Sequence, residues 1–335
     1  MSTESRPPTP GPSVRALLLT GLAVVLIALG AGALLVVVGQ DRSSTAGATV
    51  AAPASLDRQL ALAERPDRRV PTPTVDRFDA GRALRLVRMQ LQAGPRPSGS
   101  RALERLRPRL RERLPRATSE PVAGHPGLFN LVGRIPGRRP AIVLAAHYDT
   151  QIEPRGFVGA NDSAAGTAVV IEAARALAAM PRPARAREVR FVLVDGEELP
   201  ADGRPERFAE DALRGSRAYA DAHARELGAV VVADYVANRG LRLPREPQSD
   251  RALWRRIQAA AARVGVGPVF AGTSELAIID DHVPFLAAGV PAVTLIDWDY
   301  PQKNTAADTL DRLSAGAIDA TGETLVAWLD AERRR

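Results

Sequence analysis

Acidic residues and one histidine follow four apolar runs of this 335-residue sequence, and these residue types could bind a metal ion or transfer protons. The four groups are His147-Tyr148-Asp149, Asp195-Gly196-Glu197-Glu198, Asp234 and Asp297-Trp298-Asp299. A further candidate, Asp162, lies in the loop Gly159-Ala160-Asn161-Asp162-Ser163. Imidazole and carboxylate are ligands of catalytic zinc, which keeps one position open for water or substrate. The sequence therefore predicts a metal site assembled from several separate segments.

Cysteine is absent and histidine occurs only four times, so any metal would be bound by imidazole and carboxylate groups. Asp149 could hold the imidazole of His147 in place from behind. Asp162 would be an ordinary helix N-cap if it stood alone, and the other acidic groups favour a metal role for it. Glu197 and Glu198 are adjacent after an apolar strand, so their side chains point in different directions. One of them could bind metal while the other transfers protons.

The alternation of apolar and polar stretches predicts the elements that position these groups. Apolar runs predict strands at 141–146, 189–194, 229–233 and 292–296. Helices are predicted at 80–92, after residue 100 to about 114, and at 164–180, 217–227, 251–264 and 315–333. This order predicts an α/β fold, a three-layer sandwich with a mostly parallel central sheet flanked by helices. In such sheets ligands gather at the carboxyl ends of the strands, which is where the acidic groups lie.

The first 74 residues differ from the rest of the chain. Residues 16–38 form an uncharged apolar run of 23 residues, long enough to cross a hydrocarbon core of about 30 Å as a helix. We therefore expect a cytoplasmic tail at 1–15, a transmembrane anchor at 16–38, a flexible linker at 39–74 and a catalytic domain at 75–335. The protein would lie in the cell membrane with this domain on the extracytoplasmic side. Secretion after signal-peptide cleavage is the alternative, although the apolar run exceeds the usual length for a signal peptide.

The net charge of +7 does not indicate nucleic-acid binding. The arginines are scattered and often lie near acidic residues, which is typical of solvated helix faces. No basic stripe with interleaved aromatic residues is present in the sequence. We therefore expect no nucleic-acid partner.

Several motifs resemble, in sequence order, those of the zinc exopeptidase family of aminopeptidases and glutaminyl-peptide cyclotransferases. They are Gly94-Pro95-Arg96-Pro97, Ala146-His147-Tyr148-Asp149-Thr150, Gly156-Phe157-Val158-Gly159-Ala160-Asn161-Asp162-Ser163-Ala164, Asp195-Gly196-Glu197-Glu198, Gly215-Ser216-Arg217 and Asp280-Asp281-His282-Val283-Pro284-Phe285-Leu286. The resemblance spans about residues 78 to 332. The long insert after Glu198 and the double aspartate before His282 look more like the glutaminyl cyclase branch. The resemblance implies a zinc exopeptidase or phosphorylase-hydrolase-like fold and one or two zinc ions.

The resemblance also implies roles for individual residues. Asp162 would bind metal, bridging two ions where two are present, and Glu198 would be a second ligand. Glu197 would be the general acid and base. His147 and Asp234 match the ligands of a second zinc in the peptidases.

In the cyclotransferases, two of these roles would change. Asp234 and Asp280 would instead join Glu197 in a hydrogen-bonded proton network. His282 would then be a structural or substrate-side residue.

One position departs from the family pattern. The family completes its zinc site with a histidine in an aromatic-His-Thr segment, and Asn304 stands at that position in this chain. An amide oxygen is a weaker zinc ligand than imidazole, so a site made of Asp162, Glu198 and Asn304 should lose affinity. Lys303, the single lysine, could place an ammonium beside these carboxylates, or it could be an exposed loop residue.

Three functions remain open at this stage, all with a peptide or protein N-terminus as the partner. The leading one is cyclisation of an N-terminal glutamine, in which zinc polarises the amide carbonyl and Glu197 moves a proton from the α-amine to the departing ammonia. The second is aminopeptidase hydrolysis, which a complete set of His147, Asp162 and Asp234 supports. The third is a catalytically impaired binding homologue, which Asn304 motivates.

Overall fold

The computed structural model of the protein describes residues 54–335. The predicted tail at 1–15, the predicted anchor at 16–38 and the first part of the predicted linker lie outside the described residues. Within residues 54–335, none of the helices combines the length and the apolar character that crossing a membrane requires.

A six-stranded mixed sheet forms the centre of the described domain. Its strands are β1 (Thr118–Pro121), β2 (Phe129–Ile135), β3 (Arg138–His147), β4 (Arg187–Val194), β5 (Leu227–Ala233) and β6 (Ala292–Leu295). Their spatial order is β1-β2-β4-β3-β5-β6, and the run from β4 to β6 is parallel. β2 is antiparallel to both of its neighbours. The four parallel strands are those that the apolar runs predicted, so the prediction of a mostly parallel sheet is confirmed.

Helices cover both faces of this sheet. They are α1 (Leu56–Ala63), α2 (Ala80–Leu91), α3 (Arg101–Arg111), α4 (Gly166–Ala179), α5 (Phe208–Asp211), α6 (Arg214–His223), α7 (Arg251–Arg263), α8 (His282–Ala287) and α9 (Ala315–Arg333). Buried side chains of α2, α4, α7 and α9 share one apolar core with the sheet, and those of α6 and α8 share a second core on the other face. The three-layer α/β sandwich is therefore confirmed.

Strand β3 shows why the apolar runs were informative. Ile142 and Leu144 belong to one core, whereas Ala141 and Val143 belong to the other. Successive side chains of a strand point to opposite faces, so a strand that is buried on both faces is a continuous apolar run. Parallel pairing with β4 and β5 then brings the carboxyl ends of all three strands to one edge of the sheet.

The described part of the predicted linker is folded onto the domain, so the expectation of flexibility does not hold for residues 54–74. Residues 54–74 contain α1, and Ala63 at its end is completely buried in the larger core. The side chain of Gln59 accepts a hydrogen bond from the backbone N–H of Leu310 at 3.2 Å. The composition of this segment suggested flexibility, but its apolar residues meet an apolar surface that only the folded domain provides.

Candidate active site

Three buried side chains converge at the carboxyl edge of the sheet. His147 is the last residue of β3, Asp234 follows β5, and Asp162 lies in the turn before α4. The imidazole Nε2 of His147 is 3.1 Å from Oδ1 of Asp162 and 3.6 Å from Oδ1 of Asp234. One ligand atom from each of the three residues lies within 4.8 Å of the other two. The structure thus brings together the set predicted from separate segments of the sequence.

Two glycines allow the turn that presents Asp162. Gly159 has a φ of 56°, and a Cβ at this position would lie 1.8 Å from the carbonyl oxygen of Asp162. A Cβ on Gly166, the first residue of α4, would lie 2.1 Å from the carbonyl oxygen of Ala233. Only glycine permits both close approaches, and the second one holds the start of α4 against the end of β5.

Asp308, which the sequence analysis missed, fixes the backbone of the same turn. Its buried carboxylate accepts the N–H of Asn161 at 3.0 Å, the N–H of Asp162 at 3.1 Å and the hydroxyl of Tyr300 at 2.9 Å. Burial raises the pKa of Asp308 to about 7. In sequence it is one acidic residue in a polar loop, four positions after Asn304, so no local pattern distinguished it.

Asp149 connects His147 to the two neighbouring glutamates. One of its oxygens is 3.6 Å from Nδ1 of His147, and Ser98 donates a hydroxyl to the other at 2.8 Å. The backbone N–H groups of Glu197 and Glu198 both donate to this carboxylate at 3.3 Å. Asp149 therefore faces the imidazole from behind and holds the loop after β4 through two backbone hydrogen bonds.

The imidazole of His147 lies in a strongly acidic environment. Burial opposes its protonation, but the facing carboxylates of Asp149, Asp162 and Asp234 raise the pKa of His147 well above its ordinary value. Burial and the charge of Asp162 also raise the pKa of Asp234, to about 7, against the opposing effect of His147. In the metal-free protein, a protonated imidazole provides positive charge that partly offsets the negative charge of these carboxylates.

Glu197 and Glu198 are the two acids that follow β4 beside this cluster. Oε2 of Glu197 is 3.9 Å from Nδ1 of His147, and the side chain is buried. Burial and the charges of Glu198, Asp281 and Asp280 raise the pKa of Glu197 well above its ordinary value, although His147 opposes the shift. Burial and the charge of Asp162 raise the pKa of Glu198 in the same way. Both glutamates therefore belong to one group of mutually repelling carboxyls.

Asp280 and Asp281 add two more buried acids. Asp280 accepts hydrogen bonds from the N–H of Asp281 and from the hydroxyl of Thr294. The pKa of Asp281 is raised well above its ordinary value by burial and by the charge of Asp280. The motif Asp280-Asp281-His282 implied a role for Asp280 alone, because sequence does not show which of two adjacent aspartates points into an acidic cluster.

Asn304 is connected to the cluster by Tyr235, a residue for which the sequence predicted no role. The hydroxyl of Tyr235 is 2.6 Å from Oδ2 of Asp162 and 2.9 Å from Oδ1 of Asn304. Tyr235 is buried, whereas Asn304 is exposed and has a φ of 56°. Asn304 is therefore near Asp162, as the family pattern implied, but a phenol connects the two. The only sequence signal for Tyr235 was its position directly after Asp234.

Two residues predicted beside the metal have other partners. Nε2 of His282 is 3.2 Å from Oε2 of the buried Glu246, which fits the structural alternative for this histidine. Nζ of Lys303 lies 5.4 Å from the centre of the Trp298 ring, and within residues 54–335 it forms no ion pair shorter than 4 Å. The structure thus favours the loop alternative for Lys303, whose ammonium lies over the indole face.

The donor set at His147, Asp162 and Asp234 fits a zinc ion. Imidazole nitrogen and carboxylate oxygen are both zinc ligands, and three protein ligands leave a fourth position open at a catalytic zinc. All three groups are buried, and Asp149 lies behind the imidazole in the arrangement that fixes a metal-binding histidine. A divalent cation would also neutralise part of the negative charge that raises the pKa values of the surrounding acids.

A family comparison is consistent with this geometry. The model of the peptidase family M28 matches residues 130–329, which include every residue described above as part of the acidic cluster. The aminopeptidase YwaD of Bacillus subtilis is 26% identical over 205 residues, covering 57% of this chain and 41% of that protein.

The individual relatives include several glutaminyl cyclases. The glutaminyl-peptide cyclotransferase-like protein of Mus musculus is 28% identical over 225 residues, covering 58% of this chain and 57% of that protein. The crystal structure of an Acidobacteriales bacterium glutaminyl cyclase has a TM-score of 0.66 at 27% identity, covering 81% of this chain and 99% of the other. The chain spans about three fifths of the length of the first curated relatives it matches. The chain belongs to the peptidase family M28, within which it resembles the glutaminyl cyclases.

Proposed function

We propose that the protein is a zinc-dependent enzyme that converts the N-terminal glutamine of peptides to pyroglutamate. The observation that carries this proposal is the convergence of a zinc-type donor set with a separate buried acid, Glu197, 3.9 Å from His147. Metal-bound enzymes of this kind need one group that moves protons and does not bind the metal. Glu197 lies beside His147 and outside the donor set, so it can move protons without binding the metal.

The reaction requires the transfer of one proton and does not use water as a reactant. The α-amine nitrogen of the substrate attacks the carbonyl carbon of its own side-chain amide, and the bond from that carbon to the amide nitrogen breaks. Glu197 would take the proton from the attacking amine and deliver it to the departing ammonia. Zinc bound by His147, Asp162 and Asp234 would polarise the carbonyl under attack.

The surroundings of Glu197 suit a group that both accepts and donates a proton. A carboxyl with its ordinary pKa would be a weak acid catalyst at neutral pH, and burial among Glu198, Asp280 and Asp281 raises the pKa of Glu197. Asp280 would join Glu197 in this proton network, as the resemblance to the cyclotransferases implies. The resemblance to glutaminyl cyclases supports the same assignment.

Aminopeptidase hydrolysis is the second candidate, and the complete set of His147, Asp162 and Asp234 favours it. The relative named an aminopeptidase adds support. In this reaction Glu197 would accept a proton from water, and the product would be a free amino acid.

One experiment separates these reactions. The purified full chain, saturated with zinc, would be incubated with two peptides that differ only in an N-terminal glutamine or leucine. We expect the glutamine peptide to lose the mass of ammonia while the leucine peptide stays intact. Release of free leucine would support the aminopeptidase instead. Absence of both reactions in a protein that holds zinc would contradict both proposals and favour a binding role.

We also propose that residues 16–38 anchor the enzyme in the cell membrane, on the basis of their uncharged apolar sequence. The full-length protein should then sediment with membranes and resist a salt wash, whereas a chain without residues 1–40 should be released. Recovery of a soluble full-length protein with its original N-terminus would contradict the anchor.

A further inference from the structure

The two oxygens of the Asp162 carboxylate face different partners. Oδ1 faces Nε2 of His147 at 3.1 Å, within the donor set that fits zinc. Oδ2 accepts the hydroxyl of Tyr235 at 2.6 Å, and this hydroxyl is also 2.9 Å from Asn304. One carboxylate oxygen is therefore available to a metal ion, and the other is engaged by a phenol.

A carboxylate that is shared by two metal ions offers one oxygen to each of them. Two such ions lie about 3.5–4 Å apart. In this chain the second ion would need Oδ2 of Asp162, together with Glu198 and residue 304. The hydroxyl of Tyr235 already forms hydrogen bonds with two of these three ligands.

We propose that the hydroxyl of Tyr235 takes the place of a second metal ion, so that the protein binds a single zinc at His147, Asp162 and Asp234. This inference rests on the proposed zinc-dependent function and specifies the number and position of the ions.

The proton arrangement supports this assignment. A phenol has one proton to donate, and an ionised aspartate can only accept. The proton is therefore assigned to Asp162, and the Asn304 amide, whose Oδ1 is placed 2.9 Å from the hydroxyl, would donate its NH2 group to that hydroxyl once oxygen and nitrogen exchange places by rotation. An NH2 group does not bind a cation. The same contact thus explains how an asparagine is accommodated where the family has a histidine ligand.

Packing fixes the position of the hydroxyl. Tyr235 is 2% exposed, and its ring lies 5.9 Å from the Tyr300 ring and 6.3 Å, at 87°, from the Trp298 ring. Its backbone N–H donates to Oδ1 of Asp234 at 2.8 Å. A side chain held in this way cannot move aside for a second ion without disrupting the aromatic cluster and the loop after β5.

The test counts zinc ions per chain by elemental analysis after saturation with zinc and removal of the excess. We expect about one zinc in the parent protein and about one in each of Tyr235→Phe and Asn304→His, because each single change leaves one obstacle to a second ion. The double variant Tyr235→Phe/Asn304→His should hold about two, since it removes the hydroxyl and restores an imidazole. Tyr219→Phe is the matched control. Its hydroxyl is 3.4 Å from the Arg190 guanidinium, and the variant should keep one zinc.

Two outcomes would overturn the inference: about two zinc ions in the parent protein, or about one in a double variant whose circular dichroism matches the parent. A second comparison does not depend on any tyrosine variant. Asp234→Asn should lose the zinc, whereas Glu198→Gln should keep it, and the reverse result would place the ion on the other side of Asp162. A parent protein that binds two ions and still forms pyroglutamate would contradict this inference alone. A parent that binds no zinc would overturn the proposed function as well.

Discussion

Buried charges are paired with opposite charges at one end of the parallel strands and are largely unpaired at the other end. Near the amino ends of β4 and β5, the guanidinium of Arg190 is fully buried, and its Nε lies 2.8 Å from Oε1 of Glu188. It also pairs with Glu226, which binds Arg139 at 2.7 Å. Every charge in this network has an opposite partner, and the pKa of Arg190 is raised, although burial alone would lower it.

At the carboxyl ends, buried acids outnumber the bases that could compensate them. His147 is the single basic side chain within 4 Å of Asp162, Asp234 and Glu197 among the described residues. Burial and mutual repulsion raise the pKa values of most of these acids. Uncompensated buried charge destabilises a fold, so its presence at one edge indicates a site that is completed by a ligand, whereas the paired network at the other end supports the structure.

The largest effect should come from Asp162→Asn, which removes the carboxylate shared by His147 and Tyr235. Loss of a residue that only supports a metal ligand costs about 10- to 100-fold in affinity, so loss of this ligand should cost more than about 100-fold. Chelator competition would measure it. The metal-free variant should be at least as stable toward urea as the parent, because one repelling charge is gone. A clear loss of stability would mean that this carboxylate has a structural role.

Glu197→Gln should lower the rate of pyroglutamate formation by about 10²- to 10⁴-fold, the usual contribution of a positioned proton carrier. Zinc content should stay at the parental level, since this residue is assigned to proton transfer. Glu206→Gln, at an exposed position, is the matched control and should leave the rate unchanged. A Glu197→Gln variant with the parental rate would place the proton carrier elsewhere in the cluster.

Arg190→Met tests the paired end of the comparison. It leaves Glu188 and Glu226 without their buried partner, so we expect the free energy of unfolding to fall by about 3 kcal/mol. Arg185→Met, at an exposed position of the same end, should change it by less than about 0.5 kcal/mol. Zinc affinity should be unchanged in both variants. An Arg190→Met variant as stable as the parent would show that the network is not stabilising.

The stability of the metal-free protein should depend on pH in a direction set by the acid cluster. The pKa of Asp234 is raised from its model-compound value of 3.8 to about 7. Between these pH values the unfolded chain loses this proton while the folded chain keeps it, so stability falls as pH rises from about 4 to about 7, by at most about 1.4 kcal/mol per pH unit for each such group. Urea unfolding across this range measures the slope, which Asp234→Asn should reduce. An unchanged slope in that variant would assign the dependence to other groups.

The sequence predicted the parts of the fold and site that depend on local patterns. The apolar runs identified β3 to β6 because strands buried on both faces leave a continuous signature. The polar residues at the strand ends predicted that His147 and Asp234 would converge, because parallel strands end at the same edge, and Asp162 from the loop before α4 lies beside them in the structure. By contrast, β2 includes Asn130, Gly133 and Arg134, which interrupt the apolar run on the antiparallel side of the sheet.

The residues that sequence reasoning missed act through contacts between distant segments. Asp308 holds the turn at Asp162 across 146 positions of sequence, and Tyr235 reaches Asp162 across 73. Neither residue type is unusual for its loop. The packing of α1 onto the domain also depends on a surface made by distant residues. Such contacts follow from the closure of the fold and leave no periodic pattern in the sequence.

The most direct measurement of the central claim is the shift in melting temperature on adding zinc to three metal-free proteins: the parent, Arg190→Met and Asp162→Asn. A ligand that binds only the folded state raises its stability. We predict a clear rise for the parent and for Arg190→Met, despite the lower starting stability of the latter, and little or no rise for Asp162→Asn. An equal rise in all three proteins, or none in the parent, would contradict the claim that the acidic edge of the sheet is completed by a metal ion.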